Sequence, residues 1–353
     1  MDIRPAAMRR FSGPPAAEIL ADEDFAETPH VRFVAELADR LGIDLSATVT
    51  VMSHLPLWST GQEHADLRRD TAAFLNRDRT LKTRRAEAAI RARFDRHVIA
   101  TGPEIDLMPF LQEATADFLE PFTGLRRRAS GIDPVLSLFS SNMGVAARRR
   151  LDAAIRAQLA EAEARFPDDG PRSLAIRVGQ WWMGYDGLLG TFGQSLHRHL
   201  SRLDGGRLDR NPMPAIPTDT GVPMIGRIAT IDKVVAGCPV SAGQQVECGL
   251  DGFNNGTEAD RLRFFGAGRH LCLGRPMALD FCRIMTDLVN GCGFGLKVTA
   301  YRKANSDVFD MPVVFTACKV MPRQTGRRVS DHTSLTQKGT PPYGCAQGGS
   351  ERP

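Results

Sequence analysis

The sequence predicts a mainly helical fold with small β-sheets, and three observations carry that reading. Apolar residues return every three or four positions through most of the N-terminal part, the spacing of one buried helix face. Short β-prone runs crowd into residues 226–250 and 296–320. Between them lies a glycine-rich segment, Phe265-Gly266-Ala267-Gly268-Arg269-His270-Leu271-Cys272-Leu273-Gly274, followed at once by another helical pattern.

In chain order, residues 1–45 mix Pro-rich loop with a short helical pattern over 31–41. The run 45–55 is largely apolar and β-rich, and reads as a strand. Helical patterns follow over 63–76, 84–98, 110–122 and 145–164. Gly170-Pro171 breaks the chain, and Ser173 is placed to cap a long helix running to about residue 200. A Gly/Pro-rich connector covers 204–223. Strand candidates come at 226–231, 234–238 and 245–250, then a helix over 276–289 and terminal strands at 296–301 and 312–320. Beyond Pro322 the chain is polar and aperiodic, which predicts a disordered tail over 323–353 behind a single domain of residues 1–322.

Composition narrows the function classes. The apolar fraction of 42% and charged fraction of 24% are those of an ordinary soluble protein. A net charge of +4, without a basic stripe interleaved with aromatics, argues against a nucleic-acid partner. The seven cysteines fall in the last third with no CxxC pair, and no secretory signal opens the chain. That predicts reduced thiols in a cytoplasm. Cys272, Cys282 and Cys292 are spaced by ten, which does not match zinc-site spacing. No run approaches the ~18 apolar residues that a membrane span needs.

Cys272 is the residue with the most chemistry in its surroundings. A glycine-rich loop lets backbone N–H groups turn toward a sulfur and lets a flat ligand approach closely. A structural cysteine on a turn is the alternative. The segment resembles the heme-binding signature of bacterial cytochromes P450, Phe-Gly-x-Gly-x-His-x-Cys-x-Gly, at every fixed position. The resemblance implies heme b (iron protoporphyrin IX) with Cys272 as the axial metal ligand. It implies Phe265 near the sulfur, Gly268 in the loop turn, His270 on a propionate, and Gly274 letting the next helix pack under the ring. It extends with gaps from about residue 46 to residue 320, so the expected fold is a shortened version of that family's.

Two further constellations agree with the resemblance. His64 and Arg68 are spaced i, i+4, which puts both on one helix face, where the family has a His-x-x-x-Arg pair on a propionate. A solvated charged face is the other meaning of such a pair. Arg227 falls where the family has a propionate-binding arginine on a strand; an exposed strand charge is its alternative.

Other residues depart from the family's pattern. Trp181-Trp182-Met183-Gly184-Tyr185-Asp186-Gly187 resembles the oxygen-binding stretch, with Gly184 and Asp186 matching and Gly187 in place of the usual threonine. Asp186, beside Gly184, is therefore the expected catalytic polar group over the cofactor, unless the segment simply packs its tryptophans into the core. The family's Glu-x-x-Arg helix should precede residue 222, but Pro214 and Pro217 stand there, and proline breaks a helix. Little chain lies between residues 250 and 264 compared with the family.

The expected function is oxidation of a small-molecule substrate, in specialised biosynthesis, with dioxygen and electrons from a ferredoxin or flavodoxin-like partner. The missing threonine favours a second reading, a peroxide-using enzyme or one catalysing rearrangement or dehydration. The missing Glu-x-x-Arg favours a third, a non-catalytic heme- or ligand-binding member. No membrane partner is expected.

Overall fold

The computed structural model describes residues 8–125, 136–140, 142–304 and 308–321. The predicted tail lies outside the described residues. The chain opens with β1 (Arg9–Ser12), α1 (Pro14–Ala21), β2 (Phe25–Glu27), α2 (His30–Leu41) and α3 (Ser46–Ser53). Then come α4 (Gly61–Asn76), α5 (Arg79–Phe94), β3 (Glu104–Asp106), α6 (Leu107–Thr123), α7 (Val145–Arg165) and α8 (Pro171–Leu203). The C-terminal part holds β4 (Met224–Ala229), β5 (Lys233–Val235), β6 (Cys238–Val240), β7 (Gln245–Gly249), α9 (Glu258–Arg261), α10 (Arg275–Asn290), β8 (Gly295–Lys303) and β9 (Pro312–Val320). Among the described residues, no helix is long and apolar enough to cross a membrane.

Helix α8 is the central element. Trp181, Trp182, Phe192 and Leu196 are buried along it, and Phe192 meets Phe281 of α10 edge-on at 6.0 Å. Its first residue is Pro171, whose missing N–H is one that a helix start leaves unbonded anyway. Ser173 therefore sits inside the first turn, and Gly170 takes the capping position expected of it.

The run read as a strand over 45–55 is mostly helix α3. Ala47, Thr48, Val51 and Met52 are buried, a helical pattern that packs on α7 and α8. Asp152 of α7 accepts a hydrogen bond from the Thr48 N–H at 2.8 Å, satisfying a donor near the start of α3. Tertiary contact thus overrides the β-propensity of Thr and Val. The short elements β1, α1 and β2 had no periodic signal. They are ordered by the C-terminal sheet, whose strand order is β1-β7-β4-β2. In that sheet β1 runs parallel to β7, and antiparallel pairing sets Glu27 opposite Arg227. Strands β3, β9 and β8 form a second sheet, and β5 and β6 a hairpin.

The connector between α8 and β4 contains only one 3₁₀ turn, Leu208–Arg210, as Pro214 and Pro217 require. It is held to α8 by two devices. One is a glycine contact: a Cβ on Gly221 would lie 2.4 Å from the Thr191 nitrogen and 2.6 Å from Gly190 Cα. The other is polar. Ser195 Oγ accepts from the N–H groups of Thr218 and Asp219, at 3.1 Å each. The Asp219 carboxylate takes Asn254 Nδ2 and stands 3.7 Å from Arg198, which also donates to Asn255. Burial, the largest influence, leaves the Asp219 carboxyl above its ordinary value despite these donors.

Gly221→Ala should destabilise the chain by about 1–3 kcal/mol, because backbone on both sides must shift. Gly187→Ala on the same helix meets nothing within 4 Å and should be neutral or stabilising by up to about 1 kcal/mol. Urea midpoints of the two variants compare them directly; equal values would show that the connector is not tightly seated.

Candidate active site

The loop from Phe265 to Gly274 is shaped by two glycines in left-handed or related conformations, Gly266 at φ 79° and Gly268 at φ 61°. A Cβ at Gly268 would also stand 2.8 Å from Ala21 Cα, so the loop rests directly on α1. The Cys272 N–H closes the loop on the Phe265 carbonyl at 2.8 Å. The Cys272 side chain then opens into a cleft of about 650 Å³. Burial pushes its thiol up, while the N–H groups of Gly274 and Arg275 and the charge of Arg68 act the other way. Cys282 also touches the cleft, but burial alone acts on it and pushes its thiol up to about 12. Among the described residues, no group of three or more His, Cys, Asp or Glu could hold a bare metal ion.

Four expected residues are arranged around this loop. Arg68 donates to the Leu271 carbonyl at 3.0 Å and lines the cleft. Arg227 is 3% exposed, donates to the Gly226 carbonyl, and also lines the cleft. Burial lowers both guanidinium pKa values, and neither forms an ion pair among the described residues. His64 shares the Arg68 face of α4 but does not reach the cleft. Its ring packs against His270 at 4.3 Å, and its Nε2 is buried without a partner. Burial, then the charges of His270 and Arg68, lower it to about 4, so it is neutral at pH 7. The expectation that His64 joins Arg68 on a cofactor carboxylate meets a side chain outside the cleft lining whose buried Nε2 has no partner. His270 lines the cleft, but its Nε2 lies against Glu27 Oε1, which Arg269 also approaches at 3.3 Å.

Asp186 does not stand over the cleft. The face of α8 that lines it carries Gln180, Met183, Gly184, Gly187, Leu188 and Thr191, spaced i, i+3, i+4, i+7, i+8, i+11. At about 100° per residue, Asp186 falls about 200° round from Gly184. It is 2% exposed and turned into the protein. Gly184 itself does line the cleft, as expected.

Several lining residues went unread in the sequence. Gln180 and Thr191 follow from carrying the helical phase of Gly184 along α8. Trp58, Phe139 and Phe309 form an aromatic corner, with centroids 5.2 Å apart for the first pair and 5.4 Å, edge-on, for the second. They come from three separate segments, and no local pattern links them. Glu27 sits on a three-residue strand that has no periodicity to read.

No protein-family profile matches the chain, and no curated protein sequence does. Solved structures do match. P450BioI in complex with hexadec-9Z-enoic acid-ligated acyl carrier protein superposes at TM-score 0.68, with 14% identity, over 86% of this chain and 89% of that one. CalO2 gives 0.66 with 17% identity over 90% and 92%. The tirandamycin C-bound P450 monooxygenase TamI gives 0.64 with 17% identity over 88% of each chain. The chain has the cytochrome P450 fold. Heme is the cofactor that a P450 fold implies, and the residues present fit it. The Cys272 thiol faces the cleft beneath two backbone N–H groups, and two cleft-lining arginines lack carboxylate partners among the described residues, as a flat dianionic ligand requires.

The His64 pKa of about 4 lies below its ordinary 6.5, so the unfolded chain binds this proton first. The stability that neutral His64 contributes is full above pH 6.5 and is lost as pH falls toward 4. The stability difference between wild type and His64→Gln should therefore shrink across that window, read from denaturation midpoints at pH 7 and pH 5. A constant difference would show that His64 titrates normally.

Proposed function

We propose that this chain is a heme-thiolate oxidoreductase of the P450 kind that oxidises a small, mainly apolar organic molecule. The observation that carries the reading is Cys272, presented to the cleft under the N–H groups of Gly274 and Arg275 with Arg68 and Arg227 lining the same space. Heme b held there would supply reduction of dioxygen and transfer of one oxygen atom to the substrate, using two electrons from a ferredoxin or flavodoxin-like donor and two protons. Cys272 would hold the iron, and Arg68 and Arg227 the propionates. Phe265 lines the same cleft as Cys272.

The rest of the cleft describes the substrate. Apart from Arg68 and Arg227, it is lined by no Lys or Arg among the described residues. A free carboxylate or phosphate on the substrate would have no counter-charge beyond the pair assigned to the cofactor. Trp58, Phe139 and Phe309 offer apolar, flat surfaces at one corner, so a neutral substrate with a planar or hydrophobic portion is favoured. Gln180 and Thr191 are the polar side chains that α8 turns into the cleft, and they are the candidates there for binding a substrate hydroxyl or passing a proton. Thr191 Oγ1 already accepts from the Gly221 N–H at 3.1 Å, which orients the hydroxyl.

The second reading, peroxide use or a rearrangement without added reductant, is favoured by one observation. Gly187 leaves open space on the cleft face of α8 where a hydroxyl-bearing side chain would fit. Turnover that needs reductant and dioxygen supports the first reading; turnover with peroxide, or with neither, supports the second.

In the reduced, carbon monoxide-treated protein, Cys272→Ala should lose the long-wavelength Soret band, while Cys282→Ala and Cys292→Ala keep it. Retention of that band in Cys272→Ala would overturn the ligand assignment. Arg68→Ala and Arg227→Ala should each speed heme loss by about 10-fold or more, given about 1.5–3 kcal/mol for a charge-assisted hydrogen bond. Trp58→Ala should weaken spin-state-shifting apolar aromatic ligands by about 10-fold and leave heme content unchanged, as optical titration would show.

A further inference from the structure

One wall of the cleft is held from outside it. Val308 and Phe309, which lead into β9, line the cleft, and Phe309 meets Phe139 edge-on at 5.4 Å. The next residue, Asp310, carries the anchors. Its N–H donates to the Gly221 carbonyl at 2.9 Å, and its own carbonyl accepts from Gln194 Nε2 at 2.9 Å. Its carboxylate accepts from Lys303 Nζ at 2.8 Å. The Gln194 anchor comes from a buried side chain, whereas the side chains of the Lys303–Asp310 pair are 46% and 34% exposed, so the first counts for more. Two glycines seat the same stretch. A Cβ at Gly190 would stand 3.0 Å from the Asp310 carbonyl oxygen, and one at Gly193 2.7 Å from Pro312 Cγ. Gly190, Gly193 and Gln194, spaced i, i+3, i+4, thus make one flank of α8 a seat for the start of β9. Gln194 does not line the cleft; Thr191, three residues before it, does.

We propose that Gln194 is a positioning residue for ligand selection: by holding the Asp310 carbonyl it fixes how far Phe309 stands into the cleft, and so limits the size of the apolar ligand that the aromatic corner accepts. This inference rests on the reading that ligands enter the cleft of a heme-loaded protein. The argument is one of chain geometry. The Asp310 N–H belongs to the peptide unit that leaves Phe309, and the Asp310 carbonyl belongs to the next one. With both tied to the α8 and connector assembly, the Phe309 Cα has little freedom, and its ring is set by two torsions and by Phe139. Without the Gln194 donor, a buried carbonyl loses its side-chain partner. Turning that carbonyl toward water moves Asp310 and draws Phe309 with it. A wall that retreats takes contact from a ligand that fitted it and makes room for a longer one.

The test is optical titration of the heme-loaded protein with 1-phenylimidazole and with the longer 1-(biphenyl-4-yl)imidazole, nitrogen ligands whose binding is read from the Soret band without turnover. Gln194→Met keeps the side-chain length and removes the donor. It should shift the ratio of the two dissociation constants toward the longer ligand by about threefold to tenfold, the effect of one hydrogen bond. Phe309→Ala should shift the ratio the same way, and the Gln194→Met, Phe309→Ala double variant should match Phe309→Ala within about twofold, a non-additivity that general loosening of the fold would not give. Lys303→Ala, which removes the exposed anchor, should stay within about twofold of wild type. An unchanged ratio in Gln194→Met overturns the proposal, as does equal weakening of both ligands or a double variant in which the two shifts add. If Gln194→Met does not fold, Gln194→Asn withdraws the amide by one methylene and is held to the same expected direction and the same overturning results. Wild type that takes up no added hemin overturns the functional reading and this inference together; wild type that binds heme and both ligands, with the ratio unchanged in the variant, overturns this inference alone.

Discussion

The seating of the thiol loop on α1 is the contact on which the rest of the site depends. Gly268 approaches the Ala21 backbone more closely than any Cβ allows, and its positive φ would strain any other residue. That contact fixes where Cys272 faces. It also ties the loop to the N-terminal segment, because α1 lies between β1 and β2, and those strands flank β7 and β4. The loop and the four-stranded sheet are therefore joined through α1. Glu27 and Arg227 arrive at the cleft as cross-strand neighbours in that sheet, so the charge around the cofactor space is set by β-pairing as much as by the loop.

Electrostatics separates residues that share a chemical type. Cys272 and Cys282 both touch the cleft, yet only Cys272 has backbone N–H groups and a guanidinium to favour its thiolate. Arg68 and Arg227 face the cleft without ion pairs among the described residues, whereas Arg269 stands 3.3 Å from Glu27. The His64 and His270 rings pack tilted by 36° at 4.3 Å, and burial keeps His64 neutral, so their contact is not a repulsion between two cations. The composition of the cleft would suggest many ligands; the pairing pattern admits few.

The sequence made the long helices readable because burial on one face leaves a period that survives any tertiary context. Helices α4 to α8 and α10 lie close to their predicted spans. The thiol loop was readable because six specified residues fall within ten. What failed did so for physical reasons. Residues 46–53 carry β-prone side chains, and only packing against α7 and α8 makes them helical. Asp186 matched a pattern by adjacency, but adjacency on a helix is a turn of about 100°, and the cleft takes residues three and four apart. Glu27 and the aromatic corner are products of long-range pairing, and one sequence read locally holds no trace of them.

The connector shows how a shortened chain can keep this fold without a helix between α8 and β4. A helix there would present a rigid face to its neighbours. Pro214 and Pro217 forbid it, and the chain instead presses backbone against backbone at Gly190 and Gly221. Close contact of this kind needs no side chains, so it occupies little length. It leaves the connector's polar groups unserved, and Ser195, Arg198 and Asn254 serve them from α8 and from the segment ahead of the thiol loop. Asp219 is the common member of that set. It couples the helix that lines one wall of the cleft to the segment that leads into Cys272. Steric closeness sets the distance between these walls, and the Asp219 network sets their register. The two act on the same four residues, 218–221, immediately before the strand that carries Arg227.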